Sequence, residues 1–371
     1  MKVAFILSHF YPYLGGVQTV AWELARALVE SGIEVEVHTS NQIDSGDIVP
    51  PGVTSYLENR LQVHHYKSRE DFISFKPVFS RDCDVLHIMG FHRLLVPRVM
   101  VANRGWPIIL QPHGDIYMVS GEPAGLKRSV RSFIDSTFYP RLVRRFSLVL
   151  CLKEEERDSM VRLGVVNSRC VLMRSPIRME MFHERSEELV QREPDLFVCV
   201  CRIVRIKRVQ DAIQALKYVP EARLKIIGPW IDQTYVDELF KLARQLKVWD
   251  RIEFIGGVPN SEIGIWYRRA AGVILCTQVE GQGLVLAEAI SQGSIPIVAR
   301  GAADEFIRAT ECGLLYEFGD VQDLAHQMNE VMVDHGVFEE SLVNGRRFVE
   351  NELSPGAVAG KLAEIYRELL H

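Results

Sequence analysis

The sequence lacks any apolar run long enough to cross a bilayer, and it begins without the pattern of a secretory signal peptide. Its seven cysteines are scattered, and no C-x-x-C pair or cysteine–histidine cluster indicates a zinc site. Met1 and Lys2 lead directly into Val3–Leu7, an apolar run of strand length. We therefore expect a cytoplasmic protein with reduced thiols.

Two further absences narrow the function. The net charge of -5 at pH 7 provides no basic excess, which argues against general affinity for nucleic acid. The dinucleotide fingerprint G-x-G-x-x-G is also missing, because Gly281 and Gly283 are followed by Leu286 where the third glycine belongs. Neither a nucleic-acid-binding protein nor a dinucleotide-dependent enzyme is therefore predicted.

The length and composition are typical of a globular protein with two domains. The chain of 371 residues exceeds the usual size of one domain, and its hydrophobic share of 47% and charged share of 25% are ordinary. The segment Met173–Arg192 is charged and weakly patterned, so it is the best candidate for a linker. We predict an N-terminal domain over residues 1–175 and a C-terminal domain over residues 176–355.

Strand-like apolar runs alternate with amphipathic helices in both halves, which is the pattern of a parallel sheet covered on two faces. The first helix carries an apolar stripe from Val17 to Leu28 and is stopped by Ser31 and Gly32. The predicted fold class is therefore α/β, with two Rossmann-like parallel-sheet domains. The predicted strands are Val3–Leu7, Ile33–Thr39, Val85–Met89, Ile108–Gln111, Leu148–Leu152, Leu196–Cys201, Leu224–Ile227, Ile252–Ile255, Val273–Cys276 and Ile295–Val298.

The segment Glu280–Glu288, E-G-Q-G-L-V-L-A-E, carries the most information about function. It follows the strand Val273–Cys276, and apolar residues at helical spacing predict a helix that begins near Gly283. Glycines allow a ligand to approach the backbone, and a helix N-terminus offers unpaired N–H groups to an anion. Two acids beside such a helix end suit a ligand with both phosphates and hydroxyls, which describes a nucleotide sugar.

A basic loop follows the strand Leu196–Cys201, with four cations between Arg202 and Arg208. Arg202 and Lys207 can neutralise a pyrophosphate leaving group, the arginine through its planar guanidinium and the lysine as a point charge. A solvated basic loop is the simpler alternative. The glycine-rich, acid-bearing loop in the same half favours phosphate binding.

Features of the first half also follow strands, at the edge where open parallel sheets bind ligands. Gly15 and Gly16 precede a helix, so their N–H groups can face a phosphate or a sugar; a tight turn without a ligand is the alternative. His113 can hydrogen-bond a sugar hydroxyl or assist proton transfer, with Asp115 as a weaker candidate. His87 lies inside an apolar strand and is interpreted as a core histidine.

Asp82 and Asp84 have the D-x-D spacing with which some nucleotide-sugar enzymes hold a metal–diphosphate complex. They come directly before the strand Val85–Met89, at the opposite edge of the sheet from the candidate site. We therefore reject a metal role for them and expect neither a metal nor a cofactor.

The segment Gly125–Phe146 is strongly basic, and aromatic residues are interleaved with its cations. This composition is typical of an amphipathic surface that meets anionic lipid or an acidic acceptor. A solvated helix face explains it equally well. Peripheral membrane association through Lys127–Arg145 therefore stays open as an alternative.

These residues resemble the retaining glycosyltransferases of family 4, which have the GT-B architecture, and the resemblance runs nearly end to end. The family's E-x7-E element matches Glu280 to Glu288, and its phosphate-binding pair matches Arg202 and Lys207. The remaining matches are the Gly15-Gly16 loop, the nucleobase-lining segment Phe254–Ile263, and the motifs Ile295–Ala299 and Gly313–Asp320.

The resemblance implies two GT-B domains that face each other across a cleft, a metal-free site, and a last helix, residues 356–371, that packs back onto the N-terminal domain. The implied catalytic residues are Glu280 and His113 on the donor sugar and Arg202 and Lys207 on the diphosphate. The implied donor-binding residues are Gly15, Gly16, Arg202, Lys207, Val258 near the base, Gly281, Gln282, Gly283, Leu284, and Glu288 on the ribose hydroxyls.

The sequence departs from the family pattern at positions that bear on the sugar. Gln282 stands where phenylalanine is usual in E-G-F-G, and Lys153 replaces a frequent serine. Arg174–Ile177 replaces P-N-G-V, and Gly301–Glu305 matches the family's glycine-rich segment only loosely. The identity of the transferred sugar is therefore left open.

We expect a metal-independent, retaining glycosyltransferase that moves a sugar from a nucleoside-diphosphate sugar to an acceptor hydroxyl in glycan, polysaccharide or glycolipid synthesis. A UDP-sugar is the favoured donor and GDP-mannose the next. A nucleotide-sugar epimerase or phosphorylase on a similar scaffold is one alternative. A non-catalytic sugar-nucleotide sensor is another, although the presence of both Arg202 and Lys207 argues against a decayed site.

Overall fold

The chain divides into two compact units in the computed structural model. Unit 1 comprises Met1–Pro176 and Pro355–His371, and unit 2 comprises Ile177–Ser354. The residues that the structure describes are 1–11, 15–42, 48–68, 75–92, 94–103, 105–114, 139–183, 191–277 and 279–371.

Each unit is built on one sheet. The strands of unit 1 are β1 (Lys2–Ile6), β2 (Glu34–Ser40), β3 (Gly52–Tyr56), β4 (Leu61–Tyr66), β5 (Val85–Met89), β6 (Ile108–Gln111), β7 (Leu148–Cys151) and β8 (Cys170–Leu172). Those of unit 2 are β9 (Glu193–Val200), β10 (Arg223–Ile227), β11 (Ile252–Gly256), β12 (Ala270–Leu275), β13 (Ile295–Ala299) and β14 (Leu314–Tyr316). The orders are β3-β4-β2-β1-β5-β6-β7-β8 and β11-β10-β9-β12-β13-β14. All neighbouring strands are parallel except the pair β3–β4.

Helices connect the strands. In chain order they are α1 (Gly16–Glu30), α2 (Leu95–Ala102), α3 (Tyr139–Val143), α4 (Glu154–Arg162), α5 (Glu180–His183), α6 (Val209–Ala215), α7 (Gln233–Gln245), α8 (Asn260–Arg269), α9 (Leu284–Gln292), α10 (Asp304–Thr310), α11 (Val321–Val333), α12 (Glu339–Leu353) and α13 (Pro355–Leu370). The last helix, α13, belongs to unit 1, where it packs against α1.

The central strands consist mainly of apolar residues, which neighbouring strands and helices remove from water. Every residue of β5 and every residue of β12 is buried. On α1 the buried stripe includes Val20, Leu24 and Leu28, as its helical spacing predicts. Gly32 follows this helix with a φ of 92°, a left-handed conformation that favours glycine after a helix end.

The strand order creates one switch point in each sheet. In unit 1 the chain proceeds outwards from β1 on one side and from β5 on the other. In unit 2 the corresponding neighbours are β9 and β12. Ligands of open parallel sheets bind beyond the carboxyl ends of the strands at such points. A ligand site in unit 2 is therefore expected at the loops after β9 and β12.

The α/β prediction is confirmed, and all ten predicted strands are present with small differences at their ends. The sequence pattern did not predict β3, β4, β8 and β14. The strand β3 is largely exposed at the sheet edge, β4 contains two histidines, and β8 and β14 have three residues each. Short or solvent-facing strands lack the continuous apolar run on which the prediction depended.

Candidate active site

Lys207 and Glu280 form an ion pair at the switch point of unit 2. The loop after β9 supplies Lys207, and the loop after the adjacent strand β12 supplies Glu280. Lys207 Nζ lies 2.7 Å from Glu280 Oε2, with 13% and 22% of the two side chains exposed. Glu280 Oε1 also accepts a hydrogen bond from the Gly281 N–H at 3.2 Å. Two residues selected from separate motifs are thus in direct contact.

Two other cations of the basic loop are engaged by acids of unit 2. Arg205 donates two hydrogen bonds of 2.7 Å to Glu238, on α7. Arg208 donates to Asp211, one turn along the chain, at 2.7 and 2.9 Å. These pairs neutralise half of the charge that the sequence suggested for phosphate binding. Arg205 and Arg208 are therefore structural cations.

Arg202 differs from the other cations of this loop. It is exposed, and no acid among the described residues lies within ion-pairing distance of its guanidinium. It follows β9 directly, on the strand that neighbours β12. An unpaired guanidinium at the carboxyl edge of the sheet is available to a diphosphate.

The N-terminus of α9 lies in the same region and has no side-chain cap. Gly283 precedes the helix with a φ of 78°, which is the left-handed conformation that favours glycine. Its carbonyl accepts the Leu286 N–H at 2.8 Å, whereas none of the described residues accepts the N–H of Leu284 or Val285. These two N–H groups, with the helix dipole, can stabilise an anion.

Glu288 lies one turn into α9, where it is only 6% exposed. Arg178 donates from Nε to Glu288 Oε1 at 2.8 Å and from Nη2 to Oε2 at 2.7 Å. The hydroxyl of Tyr267, a fully buried residue, lies 3.3 Å from Oε2. Neither Arg178 nor Tyr267 was predicted from the sequence. No local pattern reveals them, because 110 positions separate Arg178 from Glu288.

The other predicted donor-binding residues of unit 2 also lie at carboxyl ends of strands. Val258 is half-buried and follows β11, whose last residue, Gly256, accepts a 2.7 Å hydrogen bond from the Gly228 N–H. Gln282 is buried, with 9% of its surface exposed, between the two loop glycines Gly281 and Gly283. The predicted donor-binding residues of unit 2 thus follow three of its six strands, β9, β11 and β12.

Gly15 and Gly16 begin α1 at the switch point of unit 1. Gly15 has extended backbone and accepts the Thr19 N–H at 2.9 Å. A Cβ atom on Gly16 would meet no heavy atom within 4 Å, so packing does not require glycine at this position. The helix begins without a side-chain cap, which leaves its first N–H groups open to a ligand.

His113 follows β6 in a left-handed conformation, with a φ of 56°, and Gly114 continues the turn. Burial lowers the pKa of His113 to about 3, so the imidazole is neutral at pH 7. Glu156, on α4, accepts the Gly114 N–H at 2.7 Å and the Leu152 N–H at 2.5 Å. Glu156 therefore fixes the loop that carries His113, and it was not selected from the sequence. A neutral imidazole suits hydrogen bonding better than proton transfer.

The prediction that His87 is a core histidine is confirmed by its complete burial. Its Nδ1 lies 2.7 Å from the hydroxyl of Tyr366, on α13. Burial is the largest cause that lowers its pKa to about 3, and the nearby His113 lowers the pKa further. The side chain of Gln111 acts in the opposite direction. The hydrogen bond to Tyr366 joins the C-terminal helix to the central strand β5.

Asp82 and Asp84 lie at the amino edge of the sheet in unit 1, away from the candidate site. Asp84 Oδ2 accepts the Lys2 N–H at 2.8 Å, and Asp82 forms an ion pair of 3.3 Å with the Lys2 ammonium group. The two acids therefore bind Lys2, the first residue of β1. Asp115, the weaker candidate beside His113, lies outside the described residues.

One group among the described residues brings metal-binding side chains together, namely Glu36, His38 and His64 on β2 and β4. The two imidazole rings are stacked at 4.8 Å with an interplanar angle of 10°, so their nitrogens cannot both point at one ion. His38 Nε2 lies 3.2 Å from Glu36 Oε1, and Ser80 Oγ donates to the same carboxylate at 2.5 Å. The group is a hydrogen-bonded cluster that the ammonium group of Lys2, on β1, also approaches, at 3.8 Å from Glu36 Oε2.

Of the basic segment Gly125–Phe146, only the part from Tyr139 onwards lies within the described residues. Arg141, Arg144 and Arg145 are exposed there, whereas Leu142, Val143 and Phe146 are buried. Across the described ranges, no helix is both long and apolar enough to span a membrane.

Two family models match this chain. The model for glycosyl transferases group 1 matches residues 181–347, within unit 2, and the model for the glycosyl transferase 4-like domain matches residues 15–176, within unit 1. Each of the two units therefore has its own match, which in unit 1 begins after β1.

Curated relatives align over the whole chain or over part of it. The N-acetyl-alpha-D-glucosaminyl L-malate synthase of Bacillus anthracis is 24% identical over 376 aligned residues, which cover 97% of this chain and 96% of the relative. A GDP-mannose-dependent alpha-(1-6)-phosphatidylinositol monomannoside mannosyltransferase of Mycobacterium tuberculosis is 29% identical over 187 residues, 46% of each chain.

The fold also resembles solved structures. The Anabaena protein HepE in complex with UDP and glucose superposes with a TM-score of 0.72 at 16% identity, over 99% of this chain and 100% of that one. This similarity supports the GT-B architecture.

Proposed function

The chain belongs to the group 1, family 4-like glycosyltransferases of GT-B fold, and from this premise we propose that it is a retaining, metal-independent enzyme. It moves a sugar from a nucleoside-diphosphate sugar to an acceptor hydroxyl. A UDP-sugar is the favoured donor, with GDP-mannose next. Two similar proteins support these two classes of donor, since one structure contains UDP and glucose and one relative is GDP-mannose-dependent.

The observation that carries this proposal is the position of three positive groups after two adjacent strands, β9 and β12, at the switch point of unit 2. They are the unpaired guanidinium of Arg202, the ammonium of Lys207 and the uncapped N-terminus of α9. As the bond to the sugar breaks, negative charge grows on the leaving diphosphate. Positive groups that are already in place stabilise that charge without reorganising, which lowers the barrier. They take the part that a metal plays in other enzymes.

Glu280 has two roles in this scheme. It neutralises Lys207 across 2.7 Å. When a diphosphate binds Lys207, the carboxylate is released to face the donor sugar, whose ring becomes positively charged in the transition state. His113, a neutral imidazole, donates a hydrogen bond to a hydroxyl of that sugar or accepts one from it. The acceptor oxygen attacks from the face that the diphosphate leaves, and a phosphate oxygen takes its proton.

The acceptor is proposed to be a glycan or a lipid-linked molecule. The exposed arginines Arg141, Arg144 and Arg145 are consistent with an anionic acceptor or an anionic membrane surface. The similarity to the mycobacterial phosphatidylinositol monomannoside mannosyltransferase supports a lipid-linked class.

A thermal-shift screen of UDP-, GDP- and ADP-sugars tests the donor proposal. A donor that binds the folded protein should raise its melting temperature at saturating concentration. Turnover of that donor with candidate acceptors, followed by NMR of the product anomer, then tests retention. Arg202→Ala should reduce turnover, while Arg205→Ala is the matched control, because Arg205 is already paired with Glu238.

The same reaction without an acceptor separates the alternatives. An epimer formed from the donor alone would indicate an epimerase, and binding without any turnover would indicate a sensor. Release of sugar 1-phosphate in the presence of inorganic phosphate would indicate a phosphorylase. An inverted product anomer would contradict retention and leave the donor assignment intact.

A further inference from the structure

The carboxylate of Glu288 is held by two buried partners. Arg178 donates to both of its oxygens at 2.8 and 2.7 Å, and the Tyr267 hydroxyl lies 3.3 Å from Oε2. Arg178 and Glu288 are each 6% exposed, and Tyr267 is fully buried. A carboxylate has about four acceptor positions, two on each oxygen. These contacts occupy three of them and leave one, on Oε1.

The backbone around Arg178 is fixed to α9 at a second point. Gln292, one turn after Glu288 on the same helix, donates a 2.7 Å hydrogen bond to the carbonyl of Met181. The Ile177 N–H, at the start of unit 2, donates to the Leu353 carbonyl at 3.0 Å. The segment from Ile177 to Met181 is thus anchored to two helices. Arg178 therefore approaches Glu288 from a rigid backbone rather than from a free loop.

The bidentate pair also determines the orientation of Glu288. The planar guanidinium donates to both oxygens, so it fixes the plane of the carboxylate. A rotated carboxylate would present a different hydrogen-bonding pattern to a ligand.

We propose that Arg178 is a positioning residue that holds Glu288 with one acceptor position directed at a single ribose hydroxyl of the donor. This inference rests on the function proposed above, because it assigns the ligand of Glu288 as the ribose of a nucleoside diphosphate. Arg178 itself does not touch the donor. Its effect passes through the carboxylate, so it depends on the presence of that one hydroxyl.

Calorimetric titration of the full chain with UDP, 2′-deoxy-UDP and 3′-deoxy-UDP tests the inference; the guanosine series replaces them if the screen selects GDP. We expect the wild-type protein to bind UDP about tenfold more tightly than one deoxy analogue, and the other analogue as tightly as UDP. Arg178→Lys should lose about tenfold for UDP and bind the weaker analogue as the wild type does. Discrimination between the two ligands then disappears.

Arg251→Lys is the matched control. Arg251 is a partly buried arginine that donates to the carbonyls of Leu216, Val219 and Ala222, and it lies outside the candidate site. Its substitution should lower the melting temperature and leave the discrimination unchanged. If Arg178→Lys is too unstable, Arg178→Met combined with Glu288→Met leaves no charge buried alone and should bind UDP and its analogues alike.

Three results would overturn the inference. Full discrimination in Arg178→Lys would mean that Arg178 does not act through Glu288. An equal loss for UDP and both analogues would mean a general structural role. Weak binding of both deoxy analogues by the wild type would mean that more than one hydroxyl is held. A wild-type protein that binds no nucleotide would instead reject the proposed function, and the inference with it.

Discussion

Lys207 Nζ lies 2.7 Å from Glu280 Oε2, which joins the basic loop after β9 to the acidic loop after β12. Each residue neutralises the other, so neither charge is left alone at a partly buried site. In the proposed mechanism a diphosphate that binds Lys207 competes with this carboxylate. The pair would then link binding of the diphosphate to release of Glu280.

Arg202→Ala and Lys207→Ala should each lower kcat, because both cations stabilise charge that grows toward the transition state. Losses of roughly 10²-fold or more are expected when a charge stabiliser of this kind is removed. Steady-state kinetics with the donor found in the screen measures them. Arg205→Ala, whose guanidinium is paired with Glu238, should stay near the wild-type rate. Near-normal rates in both test variants would show that the phosphate assignment is wrong.

Glu280→Gln and Glu288→Gln should have separable effects. In the proposed mechanism Glu280 faces the sugar that becomes positively charged, so Glu280→Gln should depress kcat with little change in the donor Kd. Glu288 is proposed to hold the ribose, which changes little during the reaction, so Glu288→Gln should act mainly on the donor Kd. Calorimetry and initial-rate kinetics on the same preparations distinguish the two. The opposite pattern would mean that the roles are reversed.

Chelation should leave activity unchanged. Arg202 and Lys207 supply the positive charge, while Asp82 and Asp84 bind Lys2 at the other edge of the sheet in unit 1. Initial rates before and after dialysis against EDTA measure this. A complete loss of activity that Mg²⁺ or Mn²⁺ restores would contradict the metal-free proposal.

Association with anionic vesicles, if the acceptor is lipid-linked, should depend on Arg141, Arg144 and Arg145. Electrostatic binding of exposed cations weakens as salt increases. Co-sedimentation with vesicles that contain phosphatidylserine, at low and high salt, compares the wild type with the triple alanine variant. Equal sedimentation of the two proteins would mean that these arginines do not bind the membrane and form an ordinary solvated surface.

Stability should fall as the pH decreases from about 6.5 towards 3, because His87 is buried in its neutral form. Its pKa is about 3 in the folded protein against 6.5 for an ordinary histidine, so only the unfolded chain takes up the proton in this range. The contribution is complete above 6.5 and is lost progressively below it. The thermal midpoint should therefore depend less on pH between 5 and 7 in His87→Gln than in the wild type. An unchanged slope would show that His87 is not a source of this dependence.

The α/β class followed from the sequence because buried parallel strands are continuous apolar runs. The strands β5 and β6 were predicted from their apolar runs with the same ends as in the structure. The edge strand β3 could not, because most of its residues face water and carry no period that distinguishes them from a loop.

The motifs of the candidate site could also be recognised in the sequence, because the loops that follow parallel strands lie at one edge of the sheet. Arg202, Lys207 and Glu280 were each selected from their positions after a strand. The sequence did not reveal that Lys207 and Glu280 touch, nor that Arg205 and Arg208 are already paired with acids. A count of charges in a loop does not say which of them remain available.

The sequence by itself determined the element types, the α/β class and the loops in which the functional residues lie, because these depend on local periodicity and on residues close in the chain. Only the tertiary structure decided which side chains meet. Arg178 reaches Glu288 across 110 positions, and Tyr366 reaches His87 across 279. Such contacts form when separate elements pack around one core, so no local pattern in the chain records them.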